Sequence, residues 1–284
     1  MRRSYLSGWR AAVQRWPLAV FLFAAACVPS FAFSALAWSW LADALDRSLA
    51  TRGLLTDLDM NVFVDLLEHH GEGLWMLGLA GLLLTAVCWL IGVWLNAMAI
   101  VAVTDDLPVR AAAHKSLDLY VTFLALDVLA VLVDAALLLA AVAAGRCLLH
   151  WTAEAPSELG VYGIIAGAAG IAGMLLVLVT SAHDHARIHC AATGAGAVGG
   201  CLWAFGFVLV RQRQAVLLMV LLLATGGAGW LAYQTGAKLL VTTSTPGILW
   251  AMLWGELFLF FRAFVRVWRF AAQAKLQTLA EAAA

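Results

Sequence analysis

The chain has 284 residues, of which 64% are hydrophobic and 12% charged, with a mean hydropathy of +0.92. Soluble domains carry about 25% charged residues, so this composition excludes a soluble globular fold and implies an integral membrane protein. Lys and Arg number 17, balanced by 17 Asp and Glu, and a neutral chain lacks the basic face a nucleic-acid partner requires.

Residues 1–16 carry Arg2, Arg3, Arg10 and Arg15 with Trp9 and Trp16, the makeup of a helix lying at a membrane surface. The first span follows, from Pro17 to about Leu41, with Pro29 inside it. Its apolar run is far longer than the 7–15 residues of a signal core, so we read a retained span. Asp43 to Glu72 is polar, with Asp43, Asp46, Asp57, Asp59, Asp65, Glu68 and Glu72 against Arg47 and Arg52. Within it Met60, Phe63, Val64 and Leu67 recur at helical spacing, with Asp59 as N-cap and Gly71 as a stop. This predicts a short amphipathic helix on the outer surface. His69 and His70 point about 100° apart on a helix, which favours a solvated helix end over a metal site.

A second span, Trp75 to Val103, contains Asn96, and the turn Asp105–Pro108 leads to a short helix with Arg110, His114 and Lys115. The third span, Leu117 to Ala144, carries Asp127 and Asp134, seven residues apart and so on one helix face. Arg146 to Gly160 is expected outside. The fourth span, Val161 to Ser181, has glycines at 163, 167, 170 and 173, a spacing that permits close approach of another helix. His183 to Arg213 is expected as a second loop with a glycine-rich hinge, Gly194 to Gly200; it fits no phosphate-loop or dinucleotide motif. Its apolar part, Leu202 to Val210, is too short to cross. The fifth span, Ala215 to Ala237, and the sixth, Gly247 to Phe270 with Glu256 and Arg262, complete an all-α, polytopic bundle of six transmembrane helices. Amphipathic helices lie on its inner surface and one on its outer surface.

With both termini inside, Arg47, Arg52, Arg146 and Lys238 are the only basic residues left outside, which satisfies the positive-inside rule. The whole of 1–284 is read as one membrane domain, with a three-hairpin repeat over 1–104, 105–183 and 184–284. Each unit is an entry helix, a span, an outer loop and a returning span; the entry helices are Ser4–Trp16, Pro108–Leu119 and Gly199–Arg213. Of the five cysteines only Cys147 falls outside, and no C-x-x-C occurs, so buried free thiols are expected rather than a disulfide or redox pair.

The stretch Ser181-Ala182-His183-Asp184-His185-Ala186-Arg187-Ile188 resembles the Asp-aromatic-Ala-Arg signature at the inner end of a span in uncharacterised bacterial six-span membrane proteins. The hairpin layout is also similar to the membrane domain preceding some glycerophosphodiester phosphodiesterases. His185 stands where an aromatic such as Tyr is usual, and no hydrolase domain follows, so the enzymatic half of that likeness does not carry over. The resemblance implies a bacterial inner (cytoplasmic) membrane protein with both termini cytoplasmic, and no established activity.

Three polar groupings stand out. Asp127, Asn96 and Arg262 each lie about 10 Å in from the inner ends of their spans, so a buried layer pairing Asp127 with Arg262 is expected. Asp134 and Glu256 sit near the midplane and outer half without a depth-matched cation. They either stay protonated and bond to backbone or Ser/Thr, or carry protons or substrate. His183, His185, His189 and Cys190 with Asp184 are the densest ligand-like set. His185 and His189 have i, i+4 spacing, but Ala186-Arg187 replaces the glutamate of a zinc-protease motif, and a basic helix start is preferred to a metal site. The expectation is a non-catalytic membrane component, an accessory, scaffold or lipid-interacting subunit, with membrane lipid and other membrane subunits as partners and no cofactor. The alternative is a small-solute or proton-coupled transporter using Asp134 and Glu256.

Overall fold

The computed structural model describes residues 2–45, 60–152, 158–240 and 245–282, and among them every secondary-structure element is a helix. In chain order these are α1 (Arg2–Gln14), α2 (Trp16–Leu45), α3 (Met60–Thr104), α4 (Val109–Asp118), α5 (Tyr120–Thr152), α6 (Glu158–Thr193), α7 (Ala197–Val210), α8 (Gln212–Leu239) and α9 (Thr245–Glu281). Six of them, α2, α3, α5, α6, α8 and α9, are long and apolar enough to cross a membrane. The expected all-α polytopic class is the observed one. Short α1, α4 and α7 each precede a pair of long helices.

The chain divides into two compact units, Met1–Val20 with Val93–Ala284, and Phe21–Gly92. In the second unit α2 and the first part of α3 pair antiparallel. A side chain at Gly73 would strike the Trp40 indole, and one at Gly81 would meet the Phe33 ring at 3.0 Å. α2 runs through Pro29 without interruption.

In the first unit the packed core lies at one end of the long helices. Buried there are Val93 and Ala97–Ala102 of α3, Phe123 and Leu126 of α5, Ala182, Ala186 and Ile188 of α6, Leu218 and Leu222 of α8, and Val267 and Phe270–Ala272 of α9. Away from that end burial ceases. No residue is buried from Val128 to Leu148 in α5, from Gly160 to Thr180 in α6 or from Pro246 to Arg266 in α9. Apolar side chains exposed over such lengths are at home in lipid, so the core is confined to one end of the long helices, where the short helices add Ala12, Ala112, Ala204 and Val208 to it.

α1 packs its small face, Ser4, Gly8 and Ala12, against α9. Trp268 Nε1 donates to the Tyr5 carbonyl at 2.9 Å, and Trp9 meets Trp268 and Phe264 edge-on. The Tyr5 hydroxyl is 2.7 Å from Thr225 Oγ1 on α8. The turn before α4 is closed by ion pairs of Lys115 with Asp105 and Arg15 with Asp106, and Asp106 itself adopts a left-handed φ of 56°.

The helix ends depart from expectation in three places. Gly71 does not stop a helix: α3 is continuous from Met60, and Asp59 lies outside the described residues. The third span does not end at Ala144 but continues to Thr152. Most consequentially, His183–Thr193 is not a loop. No Gly or Pro interrupts α6 between Met174 and Thr193, and the helix ends only at Gly194, whose φ of +73° is the left-handed conformation that glycine adopts at helix C-termini. Its N–H still donates to Cys190 O at 2.9 Å.

Candidate functional site

The last turns of α6 hold a buried polar network. His183 and Arg187, four residues apart, share a face that meets α5. Arg187 donates through Nε to Asp127 Oδ1 at 3.0 Å and through a second guanidinium nitrogen to the same oxygen, from which His183 Nε2 is 3.3 Å distant. Asp184, turned by about 100°, faces α9. Its Oδ2 forms an ion pair with Arg269 Nε at 3.2 Å, and its Oδ1 lies 3.8 Å from an Arg187 nitrogen. Arg266, one turn before Arg269, is in electrostatic reach of Asp127, Asp184, Arg187 and Arg269. Asp184 is 1% exposed and Asp127 6%. Charges this deep persist only when paired.

The next face of α6 holds α7. The His185 ring lies 4.7 Å from Phe207, and His189 stacks on Trp203 at 4.0 Å and 6°, with Trp203 stacked on Phe207 in turn. Gln277 of α9 sits beside His185, though neither ring nitrogen is in hydrogen-bond geometry. Cys190 packs against Gly200, where a side chain would overlap its Sγ.

Of the expected layer, Asp127 and Asn96 are buried, but Arg262 is exposed, and the cation on Asp127 is Arg187. The depths match, and it is the length of α6 that differs from expectation. Asp127 lies about 10 Å into α5, and in the antiparallel α6 Arg187 lies about 9 Å from the end at Thr193, so the extended helix delivers a guanidinium at the matching level.

The histidine and cysteine set with ligand-like spacing is likewise dispersed. His183 turns to α5, His185 and His189 turn to the aromatics of α7, and Cys190 faces Gly200. Among the described residues no group of three or more His, Cys, Asp or Glu could hold a metal. Asp134 is exposed on α5, while Glu256 is half-buried on α9 and has a contact of its own. A small apolar groove between α5, α6 and α7 is lined by Leu126, Leu129, Val133, Val179 and Phe205 with His183. Neither Asp134 nor Glu256 lines it.

Arg266 and Arg269 belong to none of the site groupings read from the sequence, whereas Asp184 enters there as a ligand-like residue and Arg187 as part of the Ser181–Ile188 signature. A signal was present: Arg262, Arg266, Arg269, Gln273 and Gln277 recur at intervals of three and four, a polar stripe on one helix face. Its last members are buried, Gln273 at 1% and Gln277 at 3% exposure.

Comparison with family models, curated proteins and solved structures gives no match to this chain.

Proposed function

We propose that the chain is a non-catalytic component of a bacterial inner membrane, an accessory or scaffold subunit whose α5–α6 hairpin packs against another membrane helix. The charge asymmetry supports a cytoplasmic location for the packed end and both termini. The observation that carries this reading is Asp134. It lies about 21 Å from either end of the apolar part of α5, near the middle of a bilayer, and its side chain is exposed. An acidic group facing hydrocarbon there costs about 2.5–3.5 kcal/mol, and a donor on a neighbouring helix removes that cost. Beside it, α6 offers Gly163, Gly167, Gly170 and Gly173, at each of which an added side chain would meet nothing within 4 Å. Such a stripe lets a second backbone come close.

The transporter alternative needs Asp134 and Glu256 to share a wet path, and the groove beside α5 is lined by other residues. The test is co-purification in mild detergent with mass spectrometry, together with a photo-crosslinker at Leu138, one turn along α5 from Asp134. A defined membrane protein should be captured from the parent and lost in Asp134→Asn. Adducts with lipid alone, joined by a vesicle proton flux that Asp134→Asn abolishes, would replace this reading with the carrier.

A further inference from the structure

The charges between α6 and α9 do not balance. Asp127 is occupied by Arg187 and His183, and Asp184 by Arg269 and Arg187. Arg266 stands among these groups as a third guanidinium, and among the described residues the carboxylates in its electrostatic reach are the two already engaged. Its side chain forms no hydrogen bond or ion pair with any described residue. Arg269 spends its Nε on Asp184, and its side chain is 27% exposed, so its terminal nitrogens remain available. A guanidinium carries five donors in a fixed fork suited to a phosphate.

The depth of these groups along α9 identifies the source of the anion. The apolar run of this helix ends at Phe261, and Arg262 is its first charged residue after Glu256. Arg266 is about 6 Å beyond Arg262 and Arg269 about 10 Å beyond it along the axis. Arg266 thus falls within the headgroup layer, which adds about 5–8 Å on each side of the hydrocarbon, and Arg269 falls just beyond its outer edge. Trp268, between the two arginines, packs with Trp9 and Tyr5, and such aromatics gather at the membrane–water interface.

The geometry points to a binding site for a phosphate group, held by Arg266 and Arg269 at the α6–α9 crossing and supplied by an anionic phospholipid. The site rests on different residues from the Asp134 reading, so either can fail alone. Its charge arithmetic is simple: one phosphodiester neutralises the guanidinium that the protein's own carboxylates leave over.

The full chain in neutral detergent is titrated with short-chain phosphatidylglycerol, short-chain phosphatidylcholine and inorganic phosphate, with thermal unfolding as the readout. Phosphatidylglycerol should stabilise the protein at concentrations where phosphatidylcholine does not. Arg266→Gln should weaken that effect about ten-fold or more, as expected for loss of a charge-assisted bond. Arg213→Gln, an exposed arginine on α8, should leave it unchanged. Arg266→Lys, which keeps the charge and loses the fork, should fall between. In the parent, phenylglyoxal should modify Arg266 in phosphatidylcholine and be excluded by the anionic lipid; this arm needs no variant to fold. Equal protection by inorganic phosphate, with no added effect of the diacyl chains, supports the phosphate site and assigns it to a soluble phosphate. Binding by Arg266→Gln equal to the parent's, or modification of Arg266 that neither ligand slows, overturns the proposal.

Discussion

Asp127 concentrates three donors on one oxygen: two nitrogens of Arg187 and Nε2 of His183. Both charged partners are nearly inaccessible, so deleting either strands the other in a medium that cannot solvate it. Asp127→Leu should therefore cost about 3–5 kcal/mol of stability, whereas the double variant Asp127→Leu/Arg187→Met should regain much of that loss. Unfolding in mixed detergent micelles would measure both. Arg262→Gln belongs in the same series, because Arg262 is exposed and its loss should shift stability by less than about 0.5 kcal/mol. A double variant no more stable than Asp127→Leu alone would mean that Arg187 is not the group Asp127 neutralises.

At the scale of single elements, the decisive feature is how short helices are fastened to long ones. α1 uses an i, i+4, i+8 row of Ser4, Gly8 and Ala12, residues small enough for two helix backbones to approach. An added Cβ at Gly8 would sit 2.7 Å from the Ala272 backbone, which cannot yield as a side chain can. Gly8→Val should then loosen α1 from α9 at a cost of about 1–3 kcal/mol. The measurement is tryptic cleavage after Arg10 and Arg15, which should accelerate, together with a change in emission from Trp9 and Trp268 as their edge-on contact opens. α7 is held by a different device, the stacked series of His189, Trp203 and Phe207. That use of two histidines as aromatic packing explains why a set with ligand-like spacing gathers no metal geometry.

At the scale of the molecule, the packed core of the larger unit coincides with the end where Arg2, Arg3, Arg10, Arg187, Arg266 and Arg269 lie, and the apolar reaches of α5, α6 and α9 extend away from it. If positive charge marks the cytoplasmic face, a membrane-impermeant maleimide applied to intact cells should label Thr56→Cys and spare Ala195→Cys. Burial raises the Cys201 thiol above its ordinary range, so this native neighbour of residue 195 should react slowly in the opened-membrane control. Outside labelling of Ala195→Cys would reverse the orientation.

Membrane class, six long apolar helices and three short helices preceding the hairpins were legible in the sequence, because run length and charge are local properties read without knowing the neighbours. So was the need of Asp127 for a cation at its own depth. Which cation met that need was decided only by the tertiary structure. The stretch from His183 to Thr193 carries histidine, aspartate and arginine side chains that read as a loop in the sequence, and it remains helical because α5, α7 and α9 cover it on three faces and pair its charges. Once α6 is extended, Arg187 replaces Arg262, Asp184 reaches Arg269, and the stripe from Arg266 to Gln277 becomes interior. Periodicity reveals that a helix has a polar face; it does not say whether that face meets water, lipid or another helix, and that choice belongs to packing between elements distant in the chain.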